Sequence, residues 1–342
     1  MNKKLLALLL AILMVAMSAV AMADANNTTE VVAETNIDIT KKFDGVGKAT
    51  AEFKFTVTAD AGNNVNLPVS EATINFGLSD NVDTKTVTLN LPSAADFHNV
   101  PGKYWYTIEE TVPTTGIPTG VSYNTGAVNT YRLCVTVYNA AEAGSTPEYK
   151  TTAAIHQTND AGTKATAAAF ENKYAGAELT VKKLLAGNGA DLNDEFEFTV
   201  TFEPQDENHV LTSDIAYAAS DTANVNVSKA ENSYVYTITG IGNSDTVTFT
   251  NIPVGAKYTV KETLNDDGFA VGSKTQNLYT PSNGGVVSNT IAATNAGAVI
   301  TNTYSTTIDT GVSTDTMPYI LLMAFVAILA VAFVAKKRSV NE

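Results

Sequence analysis

The chain of 342 residues contains one cysteine, Cys134, so no disulfide can form within a single molecule. Its three histidines, His98, His156 and His209, are scattered and lack the spacing of a metal-binding motif. A nucleophile elbow, a P-loop and a dinucleotide-binding fingerprint are also missing. These absences argue against an enzyme and against a bound metal or cofactor. We expect Cys134, within the run YRLCV, to be a packed strand residue and not a nucleophile.

Positive charge is also scarce, with 21 basic against 35 acidic residues and a net charge of −14. Nucleic acid is therefore excluded as a partner, because phosphate binding needs a basic surface. Helical periodicity is rare before the C-terminal end of the chain. Short alternating apolar runs are separated instead by Gly, Pro and Asn, which is typical of β-sandwich domains.

The N-terminal end has the pattern of a secretory signal peptide. Lys3 and Lys4 precede an apolar run, and small residues close residues 1–23 as Ala21-Met22-Ala23. A transmembrane anchor is the alternative, but the run is short and ends on an A-x-A cleavage pattern. The polar residues 24–35 that follow are expected to form a flexible segment.

The C-terminal end has the pattern of a membrane span. Residues 318–335 contain no charge, and 18 residues of helix are about 27 Å long, enough to cross a bilayer core. Residues 336–342 begin with Lys-Lys-Arg and are expected to stay on the cytoplasmic side. We expect this helix to occupy the membrane at least during export.

The middle of the chain repeats one pattern twice in the same order. Each copy has a lysine-containing start, an alternating Phe-x-Phe-Thr-Val strand, a Tyr-Thr-[Ile/Val]-x-Glu-Thr strand and an Asn-x-Tyr close. These segments are 37–45, 53–57, 106–111 and 170–174 in the first copy, and 179–187, 196–200, 258–263 and 300–304 in the second. The repeat predicts an all-β protein with two tandem β-sandwich domains, residues 36–174 and 175–304.

Each copy also places one lysine, one glutamate and one asparagine in phase with its apolar residues. Because alternate residues of a strand share a face, these polar side chains should point into the core. An unpaired buried charge is costly, so the three groups of each copy should meet. They are Lys41, Glu110 and Asn172 in the first copy, and Lys183, Glu262 and Asn302 in the second.

Such a triad can form a covalent bond. Burial favours a neutral lysine and a neutral glutamic acid. The free amine can attack the asparagine carboxamide while the glutamate transfers protons and stabilises the oxyanion. The product would be a Lys–Asn isopeptide bond between the first and last strands, with ammonia released.

Two simpler interpretations of the triads compete with isopeptide bond formation. The lysines could be solvated, or a buried ion pair could accept the asparagine hydrogen bond without reaction. Lys42 or Lys182 could also take the inward phase. Alignment of the copies favours Lys41 and Lys183, each four residues before a glycine.

The lysine start, the Y-T-[IV]-x-E-T strand and the N-x-Y close resemble the isopeptide-forming, immunoglobulin-like domains of Gram-positive pilins and collagen-adhesin-type surface proteins. The resemblance covers about residues 36–304. It implies bonds from Lys41 to Asn172 and from Lys183 to Asn302, promoted by Glu110 and Glu262. It also implies spontaneous formation without a cofactor, and a shaft that resists force and proteolysis.

A sorting signal of the sortase type is indicated within residues 305–317. Thr307-Ile308-Asp309-Thr310-Gly311 precedes the apolar segment and the positive tail, and resembles the L-P-x-T-G motif with Thr-Ile in place of Leu-Pro. The resemblance implies cleavage after Thr310 and its transfer to peptidoglycan or to a pilin lysine. A plain single-pass anchor is the alternative. Lys164 is the candidate acceptor lysine and Lys173 a weaker one.

Together these patterns predict a secreted, cell-wall-anchored structural protein, a sortase-polymerised pilus backbone subunit and not a turnover enzyme. Its partners would be a sortase, neighbouring pilin subunits or peptidoglycan. The alternative is a monomeric wall-anchored adhesin that binds a host ligand with an exposed loop such as residues 111–126. A membrane-tethered surface enzyme is a third reading that lacks a catalytic constellation.

Overall fold

The computed structural model describes residues 36–157, 164–220, 223–230, 232–264, 268–270 and 278–307, together with residues 322, 323 and 326. The predicted signal peptide, the segment 24–35, most of the predicted membrane helix and its tail lie outside these residues. So do Ile308, Asp309, Thr310 and Gly311 of the predicted sorting motif. Within the described part of the chain, no helix is long and apolar enough to cross a membrane.

The first domain contains eleven strands and one short 3-10 turn, Ala94–Phe97, among the described residues. The strands are β1 (Asn36–Phe43), β2 (Ala51–Ala59), β3 (Glu71–Phe76), β4 (Thr84–Asn90), β5 (Gly102–Thr111), β6 (Ile117–Pro118), β7 (Val121–Ser122), β8 (Thr130–Asn139), β9 (Tyr149–Gln157), β10 (Lys164–Ala165) and β11 (Ala168–Tyr174). They form a four-stranded sheet in the order β4-β1-β11-β7, and a six-stranded sheet in the order β10-β9-β8-β5-β2-β3.

In the described part of the second domain there are eleven more strands and a short 3-10 turn, Ser282–Gly285. The strands are β12 (Gly176–Ala186), β13 (Phe196–Glu203), β14 (His209–Val210), β15 (Ala216–Ala219), β16 (Asn224–Ala230), β17 (Ser233–Ile241), β18 (Thr246–Pro253), β19 (Lys257–Glu262), β20 (Thr280–Pro281), β21 (Val286–Thr290) and β22 (Ala296–Thr303). Its two sheets have the orders β15-β18-β12-β22-β20 and β16-β17-β13-β19-β21. The predicted all-β fold with two tandem sandwiches is confirmed.

The two cores follow from strict alternation in the strands that repeat. In β2, Phe53, Phe55 and Val57 are buried while their neighbours face outward, and β13 repeats the pattern. Burial of a side chain of this size stabilises a fold by roughly 1.5–3 kcal/mol. Each domain therefore has its own hydrophobic core, closed by the two sheets.

The first and last strands of each domain lie side by side in parallel. In β1 and β11, Lys41 pairs with Phe170 and Phe43 pairs with Asn172. In β12 and β22, Lys183 pairs with Ile300 and Leu185 pairs with Asn302. In both domains the asparagine is thus opposite the residue two positions after the lysine, so the repeat extends to the register of the strands.

The junction between the domains is held by more than the linker. Strand β6 pairs in parallel with β14 of the second domain, and a bridge joins Ala49 to Ser213. The prediction that residues 111–126 form an exposed loop is wrong for the part around β6, where Pro118 and Thr119 are buried. Backbone groups of this loop form hydrogen bonds with the edge of the second domain, and this pairing buries the loop residues around β6.

Candidate functional site

The six residues singled out by the repeat lie in two clusters, one in each domain. In the first, β1 carries Lys41, β5 carries Glu110 and β11 carries Asn172. In the second, β12, β19 and β22 carry the corresponding Lys183, Glu262 and Asn302. All six are buried, with at most 7% of any residue exposed. The three residues that each sequence copy aims at its core therefore meet there.

In the first domain the carboxylate of Glu110 contacts both other members of the cluster. Lys41 Nζ lies 2.8 Å from Oε1 and 2.9 Å from Oε2. Asn172 donates from Nδ2 to Oε1 at 2.8 Å, and its carbonyl Oδ1 accepts the backbone N–H of Asn124 at 2.8 Å. Every polar atom of the Asn172 carboxamide thus has a partner that fixes its orientation.

In the second domain one oxygen of Glu262 accepts both hydrogen bonds. Lys183 Nζ and Asn302 Nδ2 each donate to Oε1 at 2.7 Å. The two nitrogens can therefore be no further apart than twice that distance. Within the described residues, Oε2 of Glu262 and Oδ1 of Asn302 are buried without a hydrogen-bond partner.

Aromatic rings enclose the lysine amines. Lys41 Nζ lies 4.4 Å from the ring centroid of Phe53, and Lys183 Nζ lies 4.3 Å from that of Phe196. These are corresponding phenylalanines of the repeated Phe-x-Phe strand. A ring face attracts the charged ammonium, but the same rings exclude the water that would solvate it.

Burial favours the neutral form of the amines. It lowers the pKa of both Lys41 and Lys183 from 10.5 to about 8, although the adjacent glutamates favour the charged form. Burial likewise raises the pKa of Glu110 and Glu262, against the opposing effect of the lysines. Both shifts bring the neutral amine and the neutral acid within reach near neutral pH, which is the state that nucleophilic attack on an amide requires.

The alternative phase of the doubled lysines does not occur. Lys42 is exposed, with its Nζ 4.0 Å from Oε1 of Glu171. Lys182 is only partly buried and pairs across the sheet with Thr246. The inward lysines are the ones that precede the glycine by four residues.

The other predicted residues lie away from the two clusters or at the edge of the described chain. Lys164 is exposed on the edge strand β10, opposite His156, and Lys173 is exposed on β11. Thr307 is exposed and ends the described part of the predicted sorting motif. Cys134 is buried, 3.8 Å from the hydroxyl of Thr136.

Among the residues that the structure describes, no group of three or more His, Cys, Asp or Glu side chains could hold a metal ion.

Two contributors near the clusters were not found from the sequence. The N–H of Asn124 belongs to the backbone, and only the turn-forming Asn-Thr-Gly run could have pointed to it. Tyr123 packs edge-on against Phe53, and burial together with the charge of Glu110 raises its pKa to about 12. Its side chain closes the first cluster from the loop side.

Residues 37–175 match the family described as the Spy0128-like isopeptide containing domain. Residues 177–304 match a second family, a domain of unknown function. No curated protein matches the chain. The family match therefore falls on the domain that contains Lys41, Glu110 and Asn172.

Solved structures of pilins have the same fold. The major pilin from Streptococcus pyogenes is 21% identical, with 80% of this chain and 100% of the pilin covered and a TM-score of 0.53. A variant of that pilin with an asparagine replaced by alanine is 22% identical, with 80% and 99% covered and a TM-score of 0.53.

A second major pilin of that species, T3.2, is 18% identical, with 79% of this chain and 98% of the pilin covered and a TM-score of 0.51. The resemblance expected from the sequence is thus confirmed at the level of fold. The first domain matches the model of the Spy0128-like isopeptide containing domain family, and the two-domain chain has the fold of a Gram-positive major pilin.

Proposed function

We propose that the chain is a pilus backbone subunit whose two domains are each closed by an autocatalytic Lys–Asn isopeptide bond. The bonds join Lys41 to Asn172 and Lys183 to Asn302. One observation carries the proposal: both domains bring a buried lysine, glutamate and asparagine together between their first and last strands, in the same register. A chance ion pair would not be expected to recur in this way.

The reaction needs only the three side chains. A proton passes from the lysine ammonium to the glutamate, which leaves a neutral amine and a neutral acid. The amine nitrogen attacks the asparagine Cγ, the new C–N bond forms, and Oδ1 carries the developing negative charge. The glutamate passes its proton to Nδ2 and takes the second proton from the attacking lysine nitrogen. The Cγ–Nδ2 bond then breaks, the carbonyl re-forms, and ammonia leaves. Burial and fixed geometry lower the barrier, since placement of reactants can be worth roughly 7–11 kcal/mol.

The position of the bonds suits a protein under tension. Each bond would join the first strand of a domain to its last, which lie in parallel next to each other. A pull applied at the two ends of a domain would then pass through the cross-link and not through the sheets. Each cross-link would also close a loop of more than 100 residues, for which the chain-entropy model gives roughly 5 kcal/mol of stabilisation.

Assembly would follow from the ends of the chain. In this proposal the signal peptide directs export, and a sortase cleaves the bond between Thr310 and Gly311. The Thr310 carbonyl is then joined to the amine of Lys164 in a neighbouring subunit, or to peptidoglycan at the base. The exposure of Lys164 on an edge strand supports this role. The mature protein would be located at the cell surface.

The adhesin alternative keeps only part of its candidate loop. Pro118 and Thr119 are buried where β6 pairs with β14 of the second domain, so this part of the 111–126 loop does not face solvent, whereas residues 114–116 are exposed. A structural role is the function that the geometry supports better, and the only chemistry proposed is a single reaction in each domain.

Mass spectrometry of residues 24–305 tests the proposal. The mass is expected to be lower than that of the sequence by two molecules of ammonia, and digestion should release Lys41–Asn172 and Lys183–Asn302 cross-linked peptides. An unshifted mass would refute both bonds. Polymerisation is tested separately in cells, where covalent ladders that survive boiling in detergent should disappear in Lys164→Ala and persist in Lys173→Ala.

A further inference from the structure

Among the residues that the structure describes, Asn172 is the one asparagine of the two clusters whose carbonyl oxygen has a donor. The N–H of Asn124 points at Oδ1 from 2.8 Å, within the range expected of an oxyanion-hole donor. Oδ1 is the atom on which negative charge develops when the amine adds to Cγ. A donor fixed on that atom before the reaction stabilises the transition state more than the starting amide.

The backbone at Asn124 is shaped for this contact. Its φ is 55°, in the left-handed region that asparagine tolerates better than most residues. The next residue, Thr125, donates its N–H to the carbonyl of Glu171 at 2.9 Å. Just before it, Ser122 pairs with Lys173 in the β7–β11 ladder. The donor is therefore anchored on both sides to the strand that carries Asn172.

The same loop is anchored to the second domain. Ile117 donates its N–H to the carbonyl of Asn208 at 3.0 Å, and Thr119 donates to Val210 at 2.9 Å. Gly120 follows with a φ of 83°, and its carbonyl accepts the N–H of the linker residue Ala175 at 2.9 Å. Only a few residues lie between these contacts and Asn124. Because this stretch of chain is short, the contacts with the second domain also restrict the position of the Asn124 N–H.

We propose that the backbone N–H of Asn124 is the oxyanion donor of the first-domain reaction, and that docking of its loop on the second domain holds it in place. The first isopeptide bond would then close at full rate only after the second domain has folded and docked. This inference rests on the proposed Lys41–Asn172 bond. It adds a group that touches a reacting atom, and an order of maturation along the chain.

The donor is tested by replacing Asn124 with its α-hydroxy analogue, which turns the N–H into an ester oxygen and keeps the side chain. Full-length ectodomain is made in a cell-free pulse, and the two cross-linked peptides are quantified over time. The Lys41–Asn172 peptide should form about a hundredfold more slowly, the lower end of the range for losing an oxyanion-hole donor. The Lys183–Asn302 peptide should form at its normal rate and is the control within the same molecule.

Docking is tested by Gly120→Ala against Gly116→Ala. A Cβ at Gly120 would lie 2.8 Å from the carbonyl oxygen of Ala175, whereas a Cβ at Gly116 would meet nothing within 4 Å. Both glycines have positive φ in the same loop, so the backbone strain is matched. We expect Gly120→Ala to slow the first bond severalfold relative to Gly116→Ala. The α-hydroxy analogue of Thr119, which removes one docking hydrogen bond without a new side chain, should act in the same direction.

The results of these experiments distinguish a failure of this inference from a failure of the proposed function. Absence of both cross-linked peptides in the unmodified chain would refute the bonds themselves. Normal first-bond kinetics in the Asn124 ester would refute the donor, and equal kinetics in the Gly120 and Gly116 variants would refute the coupling to docking. Fluorescence of Trp105, the single tryptophan and a residue of β5, reports whether the first domain of each variant has folded.

Discussion

The two domains contain the same triad but differ at the asparagine carbonyl. In the first domain the N–H of Asn124 meets Oδ1 of Asn172, and both oxygens of Glu110 are engaged. In the second, one oxygen of Glu262 accepts both hydrogen bonds, and Oδ1 of Asn302 lacks a donor among the described residues. The two clusters thus share the lysine amine and the glutamate carboxyl group, but they differ in the hydrogen bonding of the asparagine carbonyl oxygen.

The difference suggests that the glutamic acid and the backbone N–H contribute differently to the reactions of the two domains. When Glu262 is neutral, its carboxylic acid can donate a proton within the cluster. Burial favours this neutral form, because it raises the pKa of Glu262. The first domain adds a second source of polarisation from a loop that the other domain holds. The two reactions should therefore respond differently when the glutamate is removed.

The largest expected effect comes from Glu110→Gln and Glu262→Gln, which keep the shape but remove the acid. Each should restore one ammonia to the mass and lower the free energy of unfolding of its own domain by roughly 5 kcal/mol. On long incubation, residual bond should be higher in Glu110→Gln, because the Asn124 N–H still polarises the carbonyl. Intact mass and calorimetry measure both, and equal residual bond in the two variants would remove the distinction between the domains.

The next effect is on the pH dependence of stability in Asn172→Ala and Asn302→Ala, which keep a free buried lysine. The folded pKa of about 8 lies below the unfolded value of 10.5, so the unfolded chain binds more protons between these values. The free energy of unfolding should therefore rise with pH from about 8 to 10.5. The rise should be on the order of 1–3 kcal/mol relative to the cross-linked protein, whose amide does not titrate.

Urea denaturation across this pH range tests the point. Because both lysines have the same lowered pKa, the two variants should give the same rise. A flat profile in either variant would show that its lysine is not desolvated when it is unreacted.

A smaller effect on stability is expected from variants of two tyrosines, Tyr279 and Tyr123, which pack on corresponding phenylalanines of the two domains. Tyr279 lies against Phe196, and its hydroxyl donates to Asp194 Oδ2 at 2.9 Å and accepts the N–H of Asp191 at 2.9 Å. Tyr123 lies against Phe53, and its buried hydroxyl has no hydrogen-bond partner within the described residues.

Removal of these hydroxyls should therefore differ in cost. Tyr279→Phe should destabilise the second domain by about 1–3 kcal/mol, because two bonded groups lose their partner. Tyr123→Phe should change the stability of the first domain by less than about 0.5 kcal/mol. Chemical denaturation of the two variants measures the contrast, and a larger loss in Tyr123→Phe would reverse it.

The sequence could predict the contents of the two clusters because strand alternation has a period of two. That period decides which side of β1 Lys41 faces, and the repeat decided between the adjacent lysines. It could not predict the docked loop, since the bonds of Ile117 and Thr119 are made by backbone groups that every residue has. The Tyr279–Asp194 contact joins residues 85 positions apart, which the local sequence pattern does not relate.

The smallest expected effect concerns the junction that couples the domains. Asn251 has a φ of 59°, and its Nδ2 donates to the carbonyls of Lys48 and Asp214 at 2.8 and 3.0 Å. Its own carbonyl accepts the hydroxyl of Tyr174 at 3.1 Å. Asn251 therefore connects both domains with one side chain and one backbone group.

Asn251→Ala should be compared with Asn283→Ala, an exposed asparagine with a φ of 52° in the same domain. Both changes introduce the same left-handed strain, but only the first removes hydrogen bonds that span the junction. We expect Asn251→Ala to lose about 1 kcal/mol more than its control and to separate the thermal transitions of the two domains. If calorimetry shows equal losses and unchanged coupling, the backbone contacts across the junction, including the β6–β14 pair and the Ala49–Ser213 bridge, hold it without the Asn251 side chain. In that case the Asn124 loop has lost none of its support, and the first bond should close in Asn251→Ala at the normal rate.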